Sequence, residues 1–458
     1  MDDRSAMSAG DPLLERATGN LSRAIRFKTI SHQDHSRVEI KEFISFHDFL
    51  EKAYPLVHGR LHKEMVGTAS LLYAWPGKDP AARPVVLMAH IDVVPIAPGT
   101  LDDWTHPPFE GVAADGCIWG RGTMDCKGQL IAVMEAVERL LEEGYAPRRT
   151  IYLAFGQDEE VDGYEGASRI AALLGSRGVE PELVVDEGGA LAEIRIPGFE
   201  RPIAAVGIAE KGYLTLELKV ETRGGHSSMP PKHTAIGILA RAIRRLEGNP
   251  FPVRIDATTR KSLERLLPEL PTYARIALGN PRVLNLLMKL LFSRIDLVSP
   301  MVRTTTAATI FEGGTKDNVL PQEASAAVNF RILPGDSIDR VVKRVNRTIR
   351  DKRVKIRILG HATPPTGESS VDSEGFGILE RTIRDISEDS VTVPYLVVGM
   401  TDARHYTSIS DSVYRFCPMR VSKGDQDLAH GTDERLSIAN LNEMIGFYER
   451  LLKNSSVE

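Results

Sequence analysis

Between residues 70 and 186, short apolar runs alternate with longer stretches whose apolar residues recur every three or four positions. A short run rich in branched apolar residues reads as a buried strand, and the three-to-four spacing reads as one face of a helix. Leu130, Val133, Met134, Val137, Leu140 and Leu141 keep that helical spacing, and Gly144 ends it. Strand and helix in alternation predict an α/β sheet with parallel strands. Upstream, residues 13–55 read as helical, with a second helix near 40–53. Further on, residues 213–220 alternate strictly between apolar and polar, which suits a half-exposed strand. A helix over 234–246, strands over 304–311 and 324–332, a helix over 337–351 and a strand over 354–359 follow. That strand–helix–strand–strand–helix–strand order predicts a ferredoxin-like α+β domain. It is interrupted at about 250–303 by a Leu- and Arg-rich stretch that reads as a helical insertion.

Several of the apolar runs stop at acids. Residues 150–155 lead into Asp158-Glu159-Glu160. Residues 85–89 lead into His90-Ile91-Asp92, and residues 118–124 into Asp125. Residues 181–185 lead into Asp186-Glu187-Gly188-Gly189. Open α/β sheets keep their chemistry at such strand ends. Residues two apart on a strand share a face, so His90 and Asp92 point together. A histidine beside a carboxylate is the usual ligand and its support at zinc. Taken singly, each of these residues is ordinary; four such ends in one region predict a metal site.

Composition narrows the setting. A chain of 458 residues is too long for one small core, so two domains are expected. The net charge of −5, with no basic block in the sequence, argues against nucleic acid as a partner. Cys117, Cys126 and Cys417 are too few and too scattered for a disulfide framework or a thiolate zinc site. They fit a reducing compartment, and the first residues lack the basic-then-apolar pattern of a signal peptide. A cytoplasmic protein is the expectation. No stretch reaches the roughly 20 apolar residues of a membrane span. The nearest, 283–292, is broken by Asn285 and Lys289. It reads as a core helix, or else as an apolar wall for an acyl chain or a lipid surface.

His90-x-Asp92, Gly120-Arg121-Gly122-x-x-Asp125, Asp158-Glu159-Glu160, Asp186-Glu187-Gly188, Gly225-His226-Ser227-Ser228 and His430-Gly431 together resemble the dizinc aminoacylase and glutamate carboxypeptidase superfamily. The sequence at 303–311, 328–335 and 250–305 is most similar to its carboxypeptidase S and N-fatty-acyl-amino-acid synthase/hydrolase branch. The resemblance implies a zinc-peptidase catalytic domain with a mostly parallel sheet, formed by residues 1–211 and 363–458. It implies a ferredoxin-like lid and dimerisation domain at 212–362, and hence a homodimer. Two zinc ions per subunit are expected, held by His90, Asp125, Glu160, Asp186 and His430, with Asp125 bridging; such ligands also accept cobalt or manganese. Asp92 would support His90, Glu159 would act as general base, and His226 would stabilise the oxyanion. Asn318, Arg331, Thr401 and Arg404 match substrate-binding positions for a small molecule with a free carboxylate. The expected reaction is hydrolysis of the amide between an acyl or peptidyl group and a C-terminal amino acid, with N-acyl amino acids first. A carboxypeptidase S-type exopeptidase is the alternative within that chemistry, net condensation of acid and amine is another, and a catalytically silent zinc-binding scaffold is the alternative outside it.

Overall fold

The computed structural model describes residues 11–193, 199–290, 299–422 and 424–457. They divide into two compact units. One takes the chain up to Ile208 and resumes over Ser369–Pro394 and Thr401–Glu458; the other holds Ala209–Glu368 and Tyr395–Met400.

The first unit is built on a large mixed sheet. In its middle, the strands Ile151–Gly156, Val85–His90, Leu183–Asp186 and Val413–Arg415 lie side by side in parallel. Beyond Ile151–Gly156 the sheet continues antiparallel through Ser70–Trp75 and His62–Val66. On the other flank, Ile203–Glu210 runs antiparallel to Val413–Arg415, and Ala190–Ala192 pairs antiparallel to it. The expected parallel order therefore holds at the centre, and both flanks depart from it. The flanking pair Val66/Ser70 is joined by a tight turn, which only antiparallel neighbours allow.

The helix Lys127–Glu142 is buried from Lys127 to Leu140 without a break. It packs against the sheet, the helix Pro12–Ile25 and the last helix, Ile438–Asn454. Total burial forces its polar residues to find partners. Glu135 accepts hydrogen bonds from Arg16, Asn20 and Tyr54, and Glu138 accepts the backbone N–H groups of Leu56 and Val57.

The second unit has the order strand Gly212–Glu221, helix Ala235–Glu247, strands Thr305–Gly313 and Glu323–Ile332, helix Ile338–Ile349 and strand Val354–Thr363. Its four-stranded sheet is antiparallel, with Glu323–Ile332 and Gly212–Glu221 in the middle. Leu214, Leu216, Leu218 and Val220 are buried under the two helices, and the residues between them are half-exposed. This is the period-two pattern read in the sequence. The insertion forms the helices Ala257–Leu266, Thr272–Gly279 and Pro281–Leu290. Within 283–292, Val283 and Leu286 are exposed, so the described part is not a core helix. Leu291 and Phe292 lie outside the described residues, as do the first ten residues of the chain. Among the described residues, no helix is long and apolar enough to cross a membrane.

Candidate metal centre

Three parallel strands end at the same edge of the sheet. His90 is the last residue of Val85–His90, Glu187 follows Leu183–Asp186, and Glu159 and Glu160 open a short turn just past Ile151–Gly156. Asp125 comes from the loop before the buried helix and is joined to Cys126 by a cis peptide bond. His430 arrives on a late loop with φ of 63°, in the left-handed region that a non-glycine residue occupies only when its surroundings hold it there.

Asp125 sits between the two histidines. Its Oδ1 is 2.9 Å from His90 Nε2, and its Oδ2 is 2.9 Å from His430 Nε2. His430 Nε2 is also 3.0 Å from Glu160 Oε2, and His90 Nε2 is 3.4 Å from Glu187 Oε1. Tetrahedral ligands about 2.0–2.1 Å from a zinc ion stand roughly 3.3 Å apart, so these spacings fit donors around cations. His90, Asp125 and Glu160 form one candidate metal-holding group, and His90, Cys126 and Glu187 form another. Electrostatics point the same way. Burial and crowding by Asp125 push Glu160 up to about 7 and Glu187 up to about 8, while burial and Glu187 push Glu159 well up. Asp125 and Glu160 in turn raise His430 to about 10. A cluster of carboxylates in this condition is short of positive charge, and divalent cations supply it. Cys126 is an inert member: burial drives its thiol well above the ordinary range, and its sulfur accepts the His90 N–H.

Asp92 does more than the sequence suggested. The His90 Nδ1 is 2.9 Å from the backbone carbonyl of Asp92 and 3.4 Å from its carboxylate, so Nδ1–H is held and Nε2 is left to face Asp125. The Asp92 carboxylate also accepts the N–H groups of Glu159 and Glu160, fixing the backbone of both glutamates.

Asp186 was the ligand expected from this strand end. Its carboxylate accepts the N–H groups of Ala403 and Glu187, and the neighbouring Glu187 is the acid that reaches His90. Successive residues at a strand end point to opposite sides, so one step along the chain separates the two positions. Arg404 was expected at the substrate. It is buried, donates to the Asp162 carbonyl at 2.7 Å and lies over Tyr164, so it holds the loop after Glu160. Thr401 is buried just ahead of it.

Two residues were missed. Arg121 donates to Glu434 at 2.6 Å and to the carbonyls of His430 and Gly431. Glu434 accepts the N–H groups of Gly122, Met124 and Asp125. This buried ion pair clamps the Asp125 loop to the His430 loop. Arg121 stood inside a motif already singled out; Glu434 carried no local signal. Glu434→Gln is expected to weaken metal binding about 10–100-fold, as loss of a ligand's support does. Competition with a chromophoric chelator checks this.

His226, Asn318 and Arg331 belong to the second unit. His226 and Asn318 are neighbours there: Gly225–His226 pairs with Val319–Leu320, and Ser227 N donates to the Asn318 carbonyl. The His226 Nδ1 accepts the Ser228 N–H at 3.1 Å, so the neutral ring carries its proton on Nε2. Arg331 faces Tyr213 across the sheet, with its guanidinium 4.9 Å above that ring.

Residues 86–454 match the family model described as peptidase family M20/M25/M40. A probable carboxypeptidase S-like protein of Dictyostelium discoideum is 41% identical over 95% of this chain and 84% of its own. An N-fatty-acyl-amino acid synthase/hydrolase of Homo sapiens is 38% identical over 96% of this chain and 87% of its own. Among solved structures, an M20 family metallo-carboxypeptidase from Sulfolobus solfataricus superposes with a TM-score of 0.70 over 98% of this chain and 100% of its own, at 19% identity. The chain is a metal-dependent amidohydrolase and belongs to peptidase family M20/M25/M40.

Proposed function

We propose that this enzyme hydrolyses the amide of N-acyl amino acids with a free α-carboxylate, using two divalent cations, zinc in the first instance. The observation that carries the two-cation reading is Asp125, whose two oxygens each lie 2.9 Å from a different histidine. In this reading His90 and Glu187 belong to one cation, His430 and Glu160 to the other, and Asp125 to both. Bound there, the cations supply Lewis acidity and bring water's deprotonation near neutral pH. Glu159 takes the proton of the attacking water and passes it to the departing amine nitrogen. His226 donates its Nε2–H to the developing oxyanion. Arg331, with Asn318, grips the α-carboxylate through its planar fork.

Glu187, rather than Asp186, is the ligand in this assignment. Glu187→Gln is expected to cost one metal equivalent per chain, and Asp186→Asn to keep both. Metal analysis of the two purified variants decides between them; loss of metal in Asp186→Asn alone would return the role to Asp186.

The substrate class rests on relatives named as N-fatty-acyl-amino acid synthase/hydrolases. The relative named carboxypeptidase S-like, at 41% identity, favours short peptides as a second reading. The test is kcat/KM on one amino acid carrying an acetyl, a long fatty acyl or a glycyl group. The acyl compounds are expected to exceed the glycyl compound at least tenfold. A preference for glycyl would transfer the assignment to a carboxypeptidase S-type exopeptidase.

A further inference from the structure

The helix Ile338–Ile349 buries Val341, Val345 and Ile349 and turns a different chemistry outward. Arg340, Lys343, Arg344 and Arg347 are spaced by three and four residues, so they form one stripe along it. Asn249 and residues 251–254 wall this stripe and make a cavity of about 1110 Å³, which Arg245 also lines. Counting Arg350, six arginines and one lysine line the cavity against two carboxylates, Asp336 and Asp339. The whole chain carries a net charge of −5, so this excess is local and opposite in sign; residues 340–357, nine basic and one acidic, are a basic block, contrary to the expectation that the sequence holds none.

Several of these cations are held in place. Arg344 lies 4.8 Å from the centre of the Phe251 ring and donates to the carbonyls of Asn249 and Pro250. Asp336 is shared by Arg254 at 3.2 Å and Arg340 at 3.7 Å. Among the described residues, Lys343 and Arg347 have no carboxylate partner. Like charges one helical turn apart repel one another, and a bound anion relieves that repulsion.

We infer that this cavity binds a small anion carrying clustered phosphates, as a free oligophosphate or as a phosphorylated lipid headgroup. Arginine predominates over lysine, and its fork pairs bidentately with phosphate oxygens. Several cations spaced along a stripe match several linked phosphates better than a single carboxylate. The cavity is slightly above the size of a typical small-ligand pocket, room for a compact anion with several phosphates rather than a nucleic-acid duplex.

The test is calorimetric titration of the metal-loaded full chain with inorganic tripolyphosphate at ~150 mM NaCl, with monophosphate as the reference. Oligophosphates chelate metals, so metal content is measured before and after. One tripolyphosphate per chain is expected, at least 30-fold tighter than monophosphate. The Lys343→Glu/Arg347→Glu double variant, checked for an unchanged melting temperature, is expected to weaken it at least tenfold; Lys343→Gln/Arg347→Gln serves if the first does not fold. Co-sedimentation with phosphatidylcholine vesicles, with and without phosphatidylinositol bisphosphate, separates the sources. Sedimentation only with the phosphorylated vesicles, lost in the double variant, assigns a headgroup; tripolyphosphate binding without sedimentation assigns a free anion. Tripolyphosphate binding no tighter than monophosphate, or undiminished in the folded double variant, overturns the proposal. So does a single-stranded RNA that displaces tripolyphosphate at a lower phosphate concentration.

Discussion

Glu159→Gln is expected to keep its full metal content and to lose about 10²–10⁴-fold in kcat, with little change in KM. Glutamine has nearly the same shape, and the Asp92 carboxylate holds the backbone N–H at this position whatever the side chain. Glu159 is not in either candidate metal-holding group, so its replacement removes no donor from the cations. What it removes is the only proton acceptor that our mechanism offers the attacking water. Burial and Glu187 raise Glu159 in the absence of cations, so its carboxylate depends on the charge that they bring. Steady-state kinetics beside metal analysis read both effects at once. Normal turnover in a fully metallated variant would sink the general-base assignment.

Asp125→Ala should act more broadly, emptying both cation positions and taking activity below detection. Among the described residues, Asp125 alone makes an ion pair with both histidines; each of its oxygens serves one of them. With the bridge gone, His90 keeps Glu187 and His430 keeps Glu160, two protein donors apiece where a catalytic zinc ordinarily has three. Asp125 is also the residue that the Arg121–Glu434 clamp positions through its backbone, so the loop itself is expected to persist in the variant. Metal stoichiometry by mass spectrometry, together with near-ultraviolet circular dichroism for the fold, separates loss of metal from loss of structure. Two equivalents of tightly bound metal in this variant would rule out a bridge.

The sequence carried the repetitive parts of the molecule well. The buried strands at 85–90 and 151–156, the spacing from Leu130 to Leu141 and the alternation at 213–220 each express a local period, and each became the expected element. The antiparallel flanks of the sheet were not legible, because a strand's neighbour is chosen by the whole topology and leaves no mark on its own residues. The same limit governs the metal centre. His90, Asp125 and Glu160 could be read because acids at buried strand ends are costly and therefore informative. The choice we propose, Glu187 over Asp186, turns on a single residue of register, which the pattern of apolar residues does not resolve. Glu434 lies 313 residues from Arg121, and nothing near either residue announces the other. Asp92 was expected beside His90, yet its hold on the backbone of Glu159 and Glu160 depends on a neighbouring strand.

The strand Val413–Arg415 lies between Leu183–Asp186 and Ile203–Glu210, although the entire second unit is translated before it. A growing polypeptide therefore leaves the ribosome with this sheet split and two strand edges unpaired until residues 413–415 have been made. At about 5–20 residues per second, the roughly 200 residues between those strands hold the gap open for ~10–40 s. Open edges recruit other strands. Until Val413–Arg415 is made, the chain thus carries open strand edges that the finished sheet covers.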